Sequence, residues 1–128
     1  MNPLRFGVWK PVLVVVVLIA VGVLLTACDA PYKTQQDVID KACAVVEDKF
    51  PGHKCAADIL VKYQKFEGRY YGYALGSNAV LLDERCKDAN WSRASNCVHI
   101  LAHEVAHTAG LKSEHHAEFV ANRVWMLR

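Results

Sequence analysis

His103-Glu104-Val105-Ala106-His107 stands inside an apolar-periodic run that starts near Ser92 or Ser95 and continues to about Ala109. Val98, Leu101, Ala102, Val105 and Ala109 recur at helical spacing, which predicts an amphipathic helix with His99, His103 and His107 toward its other side. Two His residues four apart project from one helical face, one turn above the other. Two imidazoles so placed can grip one metal ion, and Glu104 beside the first can take a proton from a coordinated water. Five of the six His lie between His99 and His116, so they are not scattered as solvated surface residues would be.

C-terminal to this helix, Gly110 sits where a helix cap belongs. Ser113 then caps a further helix carrying Ala117, Val120, Ala121, Val124 and Leu127. The short connection predicts a tight αα-hairpin. A metal ion needs another protein ligand, and the returning helix offers Glu114, His115, His116 and Glu118. At 1.5 Å rise per residue, Glu118 sits roughly 7–8 Å along that helix, level with the midpoint of His103 and His107. Glu118 is therefore the expected third ligand, with His115 and His116 as alternatives and Glu114 last. Asn122 follows Glu118 by four, where it can hydrogen-bond a ligand His and fix its orientation. His99 reads as a structural polar residue rather than a ligand.

N-terminal to the central helix, Cys86 to Ser92 is a polar loop. Ala79 to Leu82 reads as a strand, Gly76-Ser77-Asn78 as a turn, and Arg69 to Leu75 as another strand. Glu67-Gly68 turns the chain. Before it, Ile59, Val61 and Tyr63 alternate with Lys62 and Gln64, the pattern of a half-buried strand. Thr34 as N-cap, with Asp37 three residues on, opens a first helix that Pro51-Gly52 ends. The fold class is α+β: an N-terminal helix, a small three-stranded, mainly antiparallel sheet, and a helical hairpin. Short turns imply a meander, with Ala79 to Leu82 as the free edge to which an extended peptide would pair.

Arg5 and Lys10 precede an apolar run from Val12 to Leu25, the length of a signal-peptide core and short for a membrane span. It ends Leu25-Thr26-Ala27-Cys28, which resembles the bacterial lipobox and implies lipidation of Cys28. The expected organisation is a leader over 1–27, a lipidated tether over 28–33 and one domain over 34–128. The domain then faces the periplasm, and Asp29 after the Cys resembles the signal for retention at the inner membrane. Losing Arg5 and Lys10 with the leader leaves thirteen basic residues against thirteen acidic ones. A neutral chain without a basic patch argues against nucleic-acid binding. Cys43, Cys55, Cys86 and Cys97 remain, an even number suited to an oxidising compartment. The favoured pairs are Cys43–Cys55 and Cys86–Cys97, each closing a loop of about a dozen residues.

Over roughly its last thirty residues the chain resembles the gluzincins, the metallopeptidase clan that includes thermolysin. There H-E-x-x-H on one helix is completed by a Glu on the next, often followed by Asp or Asn in E-x-x-x-D/N. Glu118-Phe119-Val120-Ala121-Asn122 fits that pattern. The resemblance implies a minimal zincin fold, one zinc ion per chain held by His103, His107 and Glu118, and Glu104 as general base in peptide-bond hydrolysis. The chain departs from the clan in spacing, with only ten residues between His107 and Glu118. Gly110 also stands where metzincins have theirs, but Ser113 occupies the place of their third His. His115-His116-Ala117-Glu118-Phe119 is partly similar to the H-G-x-E-F pattern of SprT-like proteases. The substrate expected is a peptide or protein. The alternative is an envelope lipoprotein whose zinc is structural and which serves as a binding module.

Overall fold

The computed structural model describes residues 32–126. The leader, the lipidation site Cys28 and the start of the tether lie outside the described residues. The first helix, α1, spans Gln35–Lys49. Its start is the anticipated capping box: Thr34 Oγ1 accepts from the Asp37 amide at 3.2 Å, and the Asp37 carboxylate accepts from the Thr34 amide at 3.0 Å. Val38, Ile39, Ala42, Val45 and Val46 form its buried face. Tyr32, just before the helix, is buried and its hydroxyl donates to the Val124 carbonyl at 2.8 Å.

Three strands follow: β1 at Leu60–Gln64, β2 at Gly72–Ala74 and β3 at Ala79–Asp83. Their order in the sheet is β1-β3-β2, with β1 parallel and β2 antiparallel to β3. This corrects two expectations. The sheet is mixed rather than an antiparallel meander, and the Ala79–Leu82 strand is central, not an edge. The physical reason lies in the sequence of β3. Its run Ala-Val-Leu-Leu is apolar on both faces, as a strand flanked on both sides requires, whereas β1 alternates between half-buried and exposed positions. Chain from Lys65 to Tyr71 steps over the place that β3 then fills.

That stepping loop is pinned by a buried charge. Asp83, at the end of β3, is fully buried and accepts from the Arg85 amide at 3.0 Å, Arg85 Nε at 2.9 Å and Arg85 Nη2 at 2.6 Å. Arg85 Nη1 donates to the Gly68 carbonyl at 3.0 Å, and the guanidinium lies 4.1 Å from the centre of the Tyr70 ring. The Arg85 hydrogen bonds hold the Asp83 carboxyl below its ordinary value.

Two further helices complete the fold: α2 at Ser95–Thr108 and α3 at Glu114–Met126. Helix α2 packs against α1, α3, β2 and β3, so it lies at the centre of the molecule. Leu101, Val98, Val105, Val120, Val124, Val80 and Leu82 are fully buried around it. Each such side chain stabilises the fold by about 1.5–3 kcal/mol. The cysteines pair as Cys43–Cys55 and Cys86–Cys97, with Cα–Cα distances of 5.7 and 5.6 Å. The second bridge ties the 3-10 turn after β3 to the first turn of α2. Among the described residues no helix is long and apolar enough to cross a membrane.

Candidate metal centre

Helix α2 carries His103 and His107 on one face, with ring centres 5.0 Å apart. Each ring is oriented through its Nδ1. Gly110, at φ 96°, ends α2: its amide bonds the His107 carbonyl at 3.0 Å, and the Leu111 amide bonds the Ala106 carbonyl at 3.3 Å. This Schellman turn brings the Leu111 carbonyl back to His107 Nδ1 at 2.6 Å. A carbonyl only accepts, so Nδ1 carries the proton and Nε2 is left with a lone pair. His103 Nδ1 lies 3.0 Å from Glu118 Oε2, and a carboxylate fixes that ring in the same way.

Both Nε2 atoms turn to Glu114. His103 Nε2 is 2.9 Å from Glu114 Oε2, and His107 Nε2 is 3.0 Å from Glu114 Oε1. His107 Nε2 is nevertheless shielded from water and makes no hydrogen bond, because the contact is misdirected. A lone pair facing a carboxylate at contact distance is repulsive unless a cation lies between them. Ligand atoms of His103, His107 and Glu114 all lie within 4.8 Å of one another, and the group can hold a metal ion. Two imidazoles and a carboxylate are a donor set that leaves a fourth position open.

The expected ligands distribute as follows. His103 and His107 come together as anticipated. Glu118 stands at the far nitrogen of His103, and its other oxygen is 2.9 Å from His99 Nε2. Asn122 Oδ1 is 3.2 Å from His99 Nε2, so the amide meets His99 and not a residue of the metal group. His115 is exposed, and the His116 ring packs 5.1 Å from Phe50, away from the group. Glu114, ranked last from the sequence, is the carboxylate that closes on both imidazoles. The adjoining imidazoles, His103 first, hold its carboxyl below the ordinary value.

Glu104 lies on the β2 side of α2. Burial pushes its carboxyl above the ordinary value, and the Ala74 amide donates to it. The register explains this contact. Leu75 N bonds Ala79 O and Asp83 N bonds Tyr71 O, so residues 71, 73 and 75 pair with β3. Gly72 and Ala74 then turn their amides and carbonyls away from β3. Gly72 also lets the strand come close: a Cβ there would lie 2.8 Å from Ile100 Cγ2 and 3.3 Å from Glu104 Cγ. An open cleft of about 600 Å³ results, with the metal group and Glu104 between β2 and the start of α3. The sequence reading missed β2 as a wall of this cleft. The signal was present, since an isolated Gly within a strand pattern marks a close approach of backbone. Compared with known proteins, the chain matches no family model, no curated protein and no solved structure.

Proposed function

We propose that the protein is a zinc-dependent metallopeptidase, anchored to the membrane by a lipid on Cys28 and facing the periplasm. The observation that carries the reading is the pairing of an unsatisfied His107 Nε2, beside His103 and Glu114, with a half-buried carboxylate on the next residue after His103. Two imidazole nitrogens and one carboxylate suit zinc among the common metals. The gluzincin pattern E-x-x-x-D/N then has its counterpart one helical turn earlier than the sequence suggested. Glu114 acts as ligand, and Glu118, four residues on, holds Nδ1 of His103.

When bound, zinc supplies a Lewis acid for the scissile carbonyl and lowers the pKa of a coordinated water to about 7. Glu104 would take a proton from the attacking water and deliver it to the leaving amine. Its raised affinity for a proton, from burial, suits a group that must accept one near neutral pH. The Gly72 amide and carbonyl, which point away from β3, bind substrate backbone. Glu118 and the Leu111 carbonyl keep both imidazoles in the tautomer that presents Nε2.

The test is full-length protein, purified in detergent, beside Glu104→Gln. The parent holds about one zinc per chain and cleaves an unfolded polypeptide. The variant keeps its zinc and loses at least about 100-fold in rate. Zinc-loaded parent that cleaves no unfolded chain ends the peptidase reading.

A further inference from the structure

The groove that holds the metal group changes sign along its length. Glu104, Glu114 and Glu118 line the metal end, against Lys112. At Tyr70, His99 and Ile100 the groove runs on into a second hollow of about 420 Å³. No carboxylate lines that hollow. Its charged side chains are Arg69 and Arg85, and Asn96 and His99 add polar groups from α2. Glu67 and Glu84, the acids nearest to the two arginines in sequence, do not line it. The two guanidiniums play different parts. Arg85 is held rigid: Asp83 accepts from its Nε and Nη2, the Gly68 carbonyl accepts from its Nη1, and the Tyr70 ring centre lies 4.1 Å away. Of the five N–H groups of an arginine, two then remain for a ligand, although Asp83 already matches the charge. Arg69 is exposed and forms no ion pair among the described residues, so its charge is unmatched.

We infer that this hollow is a subsite for a carboxylate of the substrate, carried by the C-terminus of the bound chain or by an Asp or Glu side chain. The inference rests on reading the metal cleft as a peptidase centre. The planar fork of a guanidinium matches a carboxylate, and carboxylates are the anions that an unmodified polypeptide carries near neutral pH. Helix rise gives the distance. His99 and Asn96 stand six and nine residues before Val105, the midpoint of His103 and His107. At 1.5 Å per residue that is roughly 9–13 Å along α2. An extended chain rises about 3.3 Å per residue, so the carboxylate sits about three or four residues from the bond that is cut. The groove thus reads a negative charge at a set distance from the metal, and the acids of the metal end repel the same charge if it is placed closer.

Two pairs of otherwise identical peptides test this with zinc-loaded full-length protein in detergent. One pair differs in a free or amidated C-terminus. The other, amidated in both members, differs in one internal Glu or Gln. In at least one pair the carboxylate member should be cleaved with kcat/KM roughly tenfold higher, the low end for a hydrogen bond to a charged group. The pair that responds names the source of the carboxylate. Mass spectrometry of the products should place it about three or four residues from the cut. In Arg69→Gln the ratio of the two kcat/KM values should fall to about one, Arg69→Lys should keep part of it, and the parent's ratio should shrink as salt is added. Equal kcat/KM within both pairs, a ratio that Arg69→Gln leaves intact, or a carboxylate adjoining the cut overturns the inference while leaving the peptidase reading in place. Binding of the same peptides to zinc-loaded Glu104→Gln, followed by fluorescence anisotropy, covers the case of no cleavage. Tighter binding of a carboxylate member, lost when Arg69→Gln is added, supports the subsite even if hydrolysis fails. Equal affinity within both pairs, or no binding of any peptide, removes it.

Discussion

Gly72→Ala tests the close approach on which the cleft depends. The added Cβ would stand 2.8 Å from Ile100 Cγ2, 3.1 Å from the Leu81 carbonyl oxygen and 3.3 Å from Glu104 Cγ. Ordinary contact begins near 3.4 Å, so strand and helix must part by about 0.6 Å. The Leu81 oxygen belongs to the paired strand and cannot turn aside, unlike a side-chain end. Overpacking of this kind costs about 1–3 kcal/mol. Loss of the glycine's unfolded-state entropy returns roughly 0.4–1 kcal/mol. The net cost is about 1–2 kcal/mol, a fall in Tm of about 4–16 °C for a domain of this size. The same displacement stretches the Ala74 amide from the Glu104 carboxylate, and hydrolysis should drop about tenfold, since a full 1 Å misplacement can cost about 100-fold. Zinc content should not change, because His103, His107 and Glu114 do not touch Gly72. Ile100→Leu removes the nearest methyl, so the double variant should regain part of the stability, with the Leu81 contact remaining. Thermal melting by circular dichroism and peptide turnover read both effects. A Gly72→Ala protein that melts and cleaves like its parent would refute the reasoning.

Other expectations concern the metal group and its supports. Glu118→Gln should weaken zinc by about 10–100-fold, the usual loss for a residue that orients a ligand. Glu114→Gln should weaken it more in the same chelator competition, and the reverse ranking would exchange the two roles. Asp83→Asn should cost about 2 kcal/mol at neutral pH, because a buried carboxylate with charge-assisted bonds is lost. Folding lowers the Asp83 pKa, so its contribution is complete above the unfolded value of about 3.9 and is lost as pH falls through the lower folded value. The Tm gap between parent and Asp83→Asn should accordingly narrow below about pH 4, and a gap constant to pH 2.5 would exclude this origin. Replacing either cysteine pair by serine should cost about 2–3 kcal/mol by urea unfolding, given loops of 12 and 11 residues.

Where a local signal specified local structure, the sequence was legible. Thr34 and Asp37 announced the capping box, Gly110 the end of α2, and Ser113 the start of α3, where its hydroxyl accepts from the His116 amide at 3.4 Å. Cysteine spacing suggested both bridges for the same reason. Strand order was less legible, because short turns describe neighbours in sequence while the central place of β3 follows from burial on both faces. The carboxylate of the metal group turned on a finer distinction. Glu114 and Glu118 are four apart and share the face toward α2, so the rise per residue gives their heights and nothing more. Which of them closes on the imidazoles depends on the crossing of the helices and on rotamers. The exposure of Tyr71, Tyr73 and Leu75 was not legible in the sequence, since it depends on β2 being the edge of the sheet.

The Schellman turn at Gly110 has a consequence for how such a protein can diverge. Five residues, Ala109 to Ser113, separate the end of α2 from the first helical residue of α3, which is Glu114 itself. The Leu111 carbonyl within that loop orients His107. One added residue inside the start of α3 would rotate its face by about 100°, carrying Glu114 and Glu118 off α2 together. A chain that keeps the centre can therefore change between His107 and Glu118 by substitution but not in length. Length is constrained there as firmly as the identities of Gly110 and Glu114.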